Sequence, residues 1–395
     1  MGTVEAGLDY SSSDTQHHKE LDAEALFVLK SRGSWLHCGY HLTTSIVAPA
    51  LLSLPFAFAL LGWVAGVSCL IIAVLVTFYS YNLLSKVLEH HAQLGQRQLR
   101  FRDMASDILG PRWGRYFVGP LQFSLCYAAV IACTLLGGQS LKFIYLLCNS
   151  SGTMKLYEFV AIFGVLMLIL AQIPSFHSLR HINLISLTLC LAYSTCATID
   201  STYIGNSVNA PPKDSSVNGD GKDQLFGAFN AISIIATTYG NGIIPEIQAT
   251  IAPPVEGKMF KGLCLCYAVV YLQPTNELVE KKYGDPKSNQ FSIRKVVPRL
   301  FLRSLLVVVA TILAAMFPFF GDINALIGAF GCIPLDFVLP MVFYNVTFKP
   351  SRKALLFWGN TAIAMLFSML GVLGAISSVR QIVIDAKLYQ VFANI

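Results

Sequence analysis

The chain has 395 residues, of which 54% are hydrophobic and only 13% are charged, against about 25% charged residues in soluble proteins. Several apolar stretches extend to about 20 residues with few or no charges, the length that a helix needs to cross a bilayer. The net charge of +6 does not indicate nucleic-acid binding, because the basic residues lie in loops between apolar segments, where they set membrane topology. The composition therefore predicts an all-α, polytopic membrane helix bundle and argues against an enzyme.

The beginning of the chain and its cysteines carry little chemistry. Residues 1–33 are polar, include the stretch EAGLDYSSSDTQHHKE and lack the apolar region of a signal peptide, so they predict a disordered tail. We expect the transmembrane domain to occupy residues 34–395. Cys264 and Cys266 are too close together for a CxxC site, and the other cysteines show no ligand spacing. The sequence therefore predicts neither a metal site nor a cofactor.

Nine apolar segments are long enough to span a bilayer, and a tenth is too short. The predicted spans are Leu36–Leu61, Trp63–Leu84, Phe117–Leu147, Tyr157–Ile173, Ile182–Ile204, Leu225–Ile251, Arg303–Phe320, Ile323–Tyr344 and Ala354–Ser377. The tenth segment, Gly262–Leu272, has only about half of the roughly 20 residues that a membrane-spanning helix needs. The longest polar connections are predicted at residues 85–116, 205–224 and 273–302.

Lysine and arginine orient these spans, because cytoplasmic loops carry an excess of both. The connection after the second span is strongly basic and is predicted inside, which also places the N-terminal tail in the cytoplasm. Its basic residues are Lys86, Arg97, Arg100, Arg102, Arg112 and Arg115. Residues 253–261 fall inside by alternation, and residues 273–302 carry six further basic residues. Gly262–Leu272 should therefore not cross the membrane: it either enters and returns or replaces an even number of missing spans.

Two predicted spans contain residues that interrupt a helix. In the first span, Pro49 removes a backbone hydrogen bond and loosens the helix around residues 46–48. In the sixth, the sequence GNG at residues 240–242 precedes Pro245 and is poor helix material near mid-membrane. A plain proline kink would account for one break alone. Two breaks five spans apart instead favour the inverted repeats of a secondary transporter, whose broken helices bind substrate.

Two acidic residues lie within predicted spans, where a carboxylate is costly unless it faces a cavity or a partner. Glu246 directly follows Pro245 and is a candidate proton carrier, although solvation near the cytoplasmic end of the span is the alternative. Asp336, between Pro334 and Pro340, is the second candidate. Asp322 and Asn324 are expected at a tight external turn, where they would cap the following helix.

Other motifs narrow the function further. Asn149 begins an NSS acceptor sequence for glycosylation on a predicted external loop, close to the membrane. The sequence contains no Walker A loop for an ATP-driven pump and no TVGYG-like channel filter. It also lacks a nucleophile–base or metal constellation. A secondary transporter is the class that remains.

Several stretches resemble the amino acid/auxin permease family. They are SWLHCGYHLTTSIVAPALLSLPFAFALLGW, DILGPRWGRYFVGP, TTYGNGIIPEIQATIAPPVEGKMFKGL, YLQPTNE, PFFGDINALIGAFG and PLDFVLPMVFYNVTFKP. The likeness covers nearly all of residues 34–395 and is greatest to plant transporters of γ-aminobutyric acid (GABA). It implies a bundle of eleven helices with the LeuT-like inverted repeat, which imports amino acids with a proton gradient at the plasma membrane.

The resemblance and the two breaks together predict a substrate site for GABA or related small amino acids. Its expected residues are Thr43, Thr44, Ile46, Ala48, Pro49, Tyr239, Gly240, Asn241 and Gly242. The expected partners are the amino acid, the proton and membrane lipid, with no nucleic acid and an open oligomeric state. An auxin or general amino-acid carrier is the alternative substrate class.

The resemblance also offers an origin for the short segment. Members of the family carry two complete helices between the stretches GKMFKGL and YLQPTNE, whereas Val270 is followed directly by Tyr271 here. Part of the seventh helix and most of the eighth are thus expected to be missing, which is the even number of spans that the charge pattern requires. A transport-inactive, truncated form is therefore a further alternative.

The charge pattern predicts that residues 253–261 and 273–302 lie on the same, cytoplasmic side of the membrane. In a chain whose accessible native cysteines are replaced, Lys258→Cys and Ser288→Cys should react with an impermeant thiol reagent only after cells are permeabilised. Labelling of the residue 288 cysteine in intact cells, with the residue 258 cysteine protected, would show that the short segment crosses.

Overall fold

The computed structural model describes residues 34–46, 52–94, 98, 100–172, 185, 188–189, 192, 220–251, 257–269, 293–316, 320–351 and 354–388. The predicted tail and most of the predicted span at residues 182–204 lie outside these ranges. The described helices are α1 Trp35–Ile46, α2 Leu54–Leu61, α3 Trp63–Gln93, α4 Phe101–Leu109, α5 Pro111–Cys148, α6 Leu156–Leu170, α7 Gly221–Tyr239, α8 Ile244–Ala249, α9 Lys258–Val269, α10 Ile293–Met316, α11 Phe320–Phe348 and α12 Leu355–Leu388.

Four helices in the described part of the chain are long and apolar enough to cross a membrane: α3, α5, α11 and α12. α6 and residues 304–316 of α10 are shorter apolar helices. Large apolar side chains are exposed along these helices, among them Leu75, Ile169 and Leu355, as expected for surfaces that lipid rather than water covers. The prediction of a polytopic helical membrane protein is confirmed.

Several predicted boundaries are wrong. α3 continues to Gln93 and α12 to Leu388, because hydropathy marks the apolar part of a helix and not its polar extension beyond the bilayer. α10 begins at Ile293, inside a predicted loop whose lysines and arginines are themselves good helix formers. Asp322 and Asn324 do not cap an exposed turn, since they lie within α11 and are 4% and 2% exposed.

The helices on either side of the two predicted breaks pack against each other in opposite directions. α1 lies against α8, and α2 lies against α7. The break predicted at residues 240–242 is confirmed, because α7 ends at Tyr239 and α8 begins only at Ile244. α11 and α12 pack on α7, and α3 packs on α7, α8 and α11. The break is therefore enclosed by several helices.

The short segment forms α9, which has 12 residues. At about 1.5 Å per residue such a helix is about 18 Å long, well below the roughly 30 Å of a bilayer core. α9 packs on α1, where Gly262 lies against Cys38 and the Cys38 thiol is 3.4 Å from the Met259 sulfur. Over its described length, α9 is part of the bundle but does not reach across a membrane.

α11 contains a π-helical stretch at Gly328–Val338, with Pro334 inside it. Wider turns of this kind occur often at functional positions. At its beginning, Gly328 lies directly against the Ser233 carbonyl of α7, so the absence of a side chain brings the two helices together. Asp336 lies later in the same π-helical stretch. The close approach of the two helices places it beside the break after α7.

Gly328→Ala should destabilise the protein by about 1–3 kcal/mol, because the added methyl group overlaps the Ser233 carbonyl. Gly359→Ala is the matched control: its Cβ meets no atom within 4 Å, and alanine is the better helix former. Thermal unfolding of the purified proteins, followed by size-exclusion fluorescence, measures both. Equal unfolding temperatures for the two variants would contradict the close α7–α11 contact.

Candidate functional site

The segment between α7 and α8 has a backbone that only glycine fits easily. Gly242 has φ of +64°, a conformation that side chains disfavour. A Cβ there would overlap Leu125 of α5, and a Cβ at Gly240 would overlap Cys332 of α11. Gly240 and Asn241 are partly exposed, whereas residues 242–250 are buried. The break is therefore held tightly by protein on one side and keeps accessible surface at Gly240 and Asn241.

Asp336 binds the backbone of this segment. Its carboxylate accepts a hydrogen bond from the Asn241 N–H at 2.9 Å and one from the Gly242 N–H at 3.1 Å. Both N–H groups lie outside the helical hydrogen-bond pattern, so the carboxylate satisfies donors that would otherwise be buried without a partner. Asp336 is fully buried. It thus fixes the shape of the break from α11.

Two residues of α3 complete this arrangement. The Tyr81 hydroxyl donates to the Tyr239 carbonyl at 2.7 Å and lies beside the Asp336 carboxylate. The Ser80 hydroxyl donates to the Asp336 backbone carbonyl. α3 therefore satisfies the last carbonyl of α7 and holds the residue that clamps the break.

Glu246 lies on the other side of the break and is reached by Gln122 of α5. The Gln122 amide nitrogen donates to Glu246 Oε1 at 2.7 Å and to the Gly242 carbonyl at 2.8 Å. Glu246 is 1% exposed and Gln122 is fully buried, so the alternative that Glu246 is solvated at a helix end is wrong. The backbone of Gly242 is thus bound at its N–H by Asp336 and at its carbonyl by Gln122.

The charge around the two carboxylates is sparse. No lysine or arginine of the described ranges lies within ion-pair distance of Asp336 or Glu246. Arg100, 2% exposed, and Asp103 act on Glu246 electrostatically from the region of α4. A carboxylate buried without a paired cation is unfavourable. Binding of a proton is the simplest way to remove such a charge.

The structure brings together only part of the predicted site. Thr43 is buried in α1, donates to the Gly39 carbonyl at 2.7 Å and lies beside Cys266 of α9, so it contacts α9 rather than the break. Thr44 and Ile46 lie in α1, but their side chains are outside the described part of the structure. Ala48 and Pro49 lie outside the described residues altogether. Tyr239 is buried at the end of α7. Gly240, Asn241 and Gly242 form the break itself.

Asn149 lies where the sequence placed it, at an exposed helix end. It follows α5 directly, and its side-chain oxygen accepts from the Ser151 hydroxyl at 3.0 Å. The exposed position suits a glycosylation acceptor.

Sequence reasoning missed Ser80, Tyr81, Arg100 and Gln122. Each is a polar residue that the helical arrangement buries. For Gln122 a signal existed, since it is a lone amide in the apolar stretch VGPLQFSLCYAAV, and polar groups inside membrane helices generally have partners. No such signal distinguishes Arg100 from the other basic residues of its connection.

An interrupted helix, clamped by buried carboxylates inside a helical bundle, is characteristic of secondary transporters. Residues 31–272 and residues 265–384 match the family described as "Transmembrane amino acid transporter protein". The chain belongs to this family of membrane transporters, and the resemblance found in its motifs is confirmed. Members of the family are transporters and not enzymes.

Individual relatives agree with this assignment. The chain is 56% identical to GABA transporter 1 of Arabidopsis thaliana, with 95% of the chain and 96% of the relative aligned. It is 26% identical to Lysine histidine transporter-like 1 of the same plant, over 98% of the chain and 97% of the relative. Its identity to Amino acid permease 1, also from Arabidopsis thaliana, is 24%, over 99% and 96% of the two chains.

The alignments with these three relatives are all longer than the 395 residues of the chain, at 434, 444 and 475 positions. The alignment with GABA transporter 1 extends over 434 positions, more than the 395 residues of the chain. Since 95% of 395 residues is about 375, about 59 positions pair residues of the relative with gaps in this chain. The two family matches, moreover, overlap at residues 265–272, within the stretch that contains the end of α9.

Asp336→Asn should destabilise the protein by about 1–3 kcal/mol, because the neutral amide keeps one acceptor and turns an NH2 group toward the second backbone N–H. Asp223→Asn is the control, since it breaks the more exposed pair with Arg380 at 2.6 Å, which should matter by about 0–1 kcal/mol. Thermal unfolding in detergent compares the two. An Asp336→Asn protein as stable as wild type would mean that the carboxylate does not hold the break.

Proposed function

We propose that the site is that of a proton-coupled symporter that imports GABA or related small amino acids across the plasma membrane, with the N-terminus in the cytoplasm. The observation that carries this proposal is the break at residues 240–242, held by Asp336 and Gln122 in a chain 56% identical to a protein named GABA transporter 1. The identities to relatives named for lysine and histidine or for amino acids in general, 26% and 24%, are far lower. They support a small amino acid such as GABA over a general amino-acid substrate.

The accessible part of the break is where the substrate would bind. Gly240 and Asn241 keep exposed surface, while Gly242 is enclosed by Leu125. In transporters with interrupted helices, unwound backbone and half-helix ends contact the ammonium and carboxylate groups of the substrate. The first predicted break, around residues 46–48, would supply the opposite wall. The packing of α1 on α8 and α2 on α7 supports an arrangement of the LeuT kind.

The two buried carboxylates supply the coupling. Asp336 accepts directly from the Gly242 N–H, and Glu246 is linked to the Gly242 carbonyl through the Gln122 amide. A proton that binds to either removes a buried charge and changes a hydrogen bond at the break. Binding of a proton and binding of substrate would therefore favour the same arrangement of the segment.

A second candidate function has its own support. The overlap of the two family matches at residues 265–272 and the gap positions in the alignment with GABA transporter 1 favour the loss of two helices at the Val270–Tyr271 junction. Such a chain would lack one wall of the site. The 395-residue chain would then be a transport-inactive form, and a version that carries the two helices would be the transporter.

Uptake of labelled GABA in a transport-deficient host, between about pH 5 and 8, tests both functions. A version with the two helices restored should take up GABA faster as the external pH falls, and the 395-residue chain should show no uptake. Glu246→Gln in the restored version should abolish the pH dependence, because an amide cannot titrate. Glu158→Gln, on the surface at the start of α6, should leave it unchanged.

An unchanged pH profile in Glu246→Gln would exclude this residue as the proton site and leave Asp336. Rapid uptake by the 395-residue chain would contradict the inactive form.

A further inference from the structure

Two oxygen atoms in the Gln122–Glu246 pair are buried without a hydrogen-bond partner. They are Gln122 Oε1 and Glu246 Oε2. The other ends of the same two groups are satisfied, since the Gln122 amide nitrogen donates to Glu246 Oε1 and to the Gly242 carbonyl. Buried polar atoms nearly always have a partner. Two acceptors without a donor, on side chains already bonded to each other, would both be satisfied by a single hydrogen atom placed between them.

Turning the Gln122 amide around does not supply the donor. Its nitrogen now faces two acceptors, the Glu246 carboxylate and the Gly242 carbonyl. A turned amide would place its oxygen against both, so that three oxygens would face one another without a proton. The orientation of Gln122 is therefore fixed by its neighbours, and the missing hydrogen belongs on Glu246.

We propose that Glu246 binds a proton on Oε2 and that Gln122 is the partner that receives it, as a paired carboxylic acid and carboxamide. The amide N–H donates to Oε1, as observed, and the acid O–H donates to Gln122 Oε1, which gives both unpaired atoms a partner. Gln122 is a positioning residue for this proton. The inference rests on the proposed function, because it identifies the acceptor for the proton that drives transport.

Of the groups packed around Glu246, Gln122 is the one whose hydrogen bonds a proton on Glu246 would change most. Arg100 and Asp103 act on Glu246 with opposite signs from the α4 side. α1 and α3, which also pack on α8, carry the buried residues His41 and Tyr81, and Tyr81 donates to the Tyr239 carbonyl. Asp336 accepts from the Gly242 N–H. Within the described part of the chain, Gln122 is the side chain that donates a hydrogen bond to Glu246.

The pair also links the proton to the break. One amide group serves both the Glu246 carboxyl and the Gly242 carbonyl. When Glu246 loses its proton, the negative carboxylate attracts the amide N–H more strongly and repels Gln122 Oε1. Gln122 must then shift, and the Gly242 carbonyl loses part of its hydrogen bond. Release of the proton would in this way loosen the segment that binds substrate.

Infrared difference spectra between the wild-type and the variant 395-residue chains, purified in lipid nanodiscs, test the pair without any transport. A C=O band of a protonated carboxyl group should be present between about pH 5 and 8, should vanish in Glu246→Gln and should persist in Glu158→Gln. In Gln122→Leu it should move to higher frequency, because the acid loses its acceptor. The exchanged pair, Gln122→Glu with Glu246→Gln, should restore a band near the wild-type position.

Gln122→Met, of similar length and flexibility, takes the place of Gln122→Leu if the latter fails to fold. A spectrum without a Glu246-dependent band at any pH, or a band that neither substitution of Gln122 moves, would overturn the inference. The result is independent of uptake. A version with the two helices restored that shows the band but never takes up GABA contradicts the proposed function alone, and pH-driven uptake by it without the band contradicts this inference alone.

Discussion

The backbone of Gly242 is held at both its N–H and its carbonyl, and the candidate site depends on this. Its N–H is bound by the Asp336 carboxylate, and its carbonyl is bound by the Gln122 amide. A helix interrupted inside a bilayer loses several backbone hydrogen bonds that water cannot replace. Here the lost bonds are replaced by side chains of α5 and α11. The same two helices enclose the glycines of the break through Leu125 and Cys332.

Buried carboxylates are normally unfavourable in a membrane helix bundle, and here both lie beside the break. Two carboxylates without paired cations in the described ranges would be unfavourable in any helical bundle. Asp336 is bonded to the backbone of the break, and Glu246 is bonded to the Gln122 amide that also binds it, so a change in the charge of either acts on this segment. α3 supports the clamp through Ser80 and Tyr81, which ties the break to a helix that itself spans the membrane.

The sequence predicted features that depend on neighbouring residues and missed those that depend on contacts between distant helices. The break at residues 240–242 and the cost of Glu246 and Asp336 follow from local chemistry, and they were predictable from glycine, proline and hydropathy. The hydrogen bonds from Asn241 to Asp336 and from Gln122 to Glu246 join residues 95 and 124 positions apart. Such pairs depend on how α5, α8 and α11 pack, which hydropathy does not encode. The helix ends at Gln93 and Ile293 were missed because each helix continues beyond its apolar part, and hydropathy marks only that part.

The central claim is that the break at residues 240–242 is where substrate binds. Hydrogen–deuterium exchange, measured by mass spectrometry on a version with the two helices restored, tests it with and without saturating GABA. GABA should slow exchange in peptides covering residues 239–246, because bound substrate rigidifies a segment held only by side chains. Protection confined to other helices, with exchange at residues 239–246 unchanged by bound GABA, would contradict it.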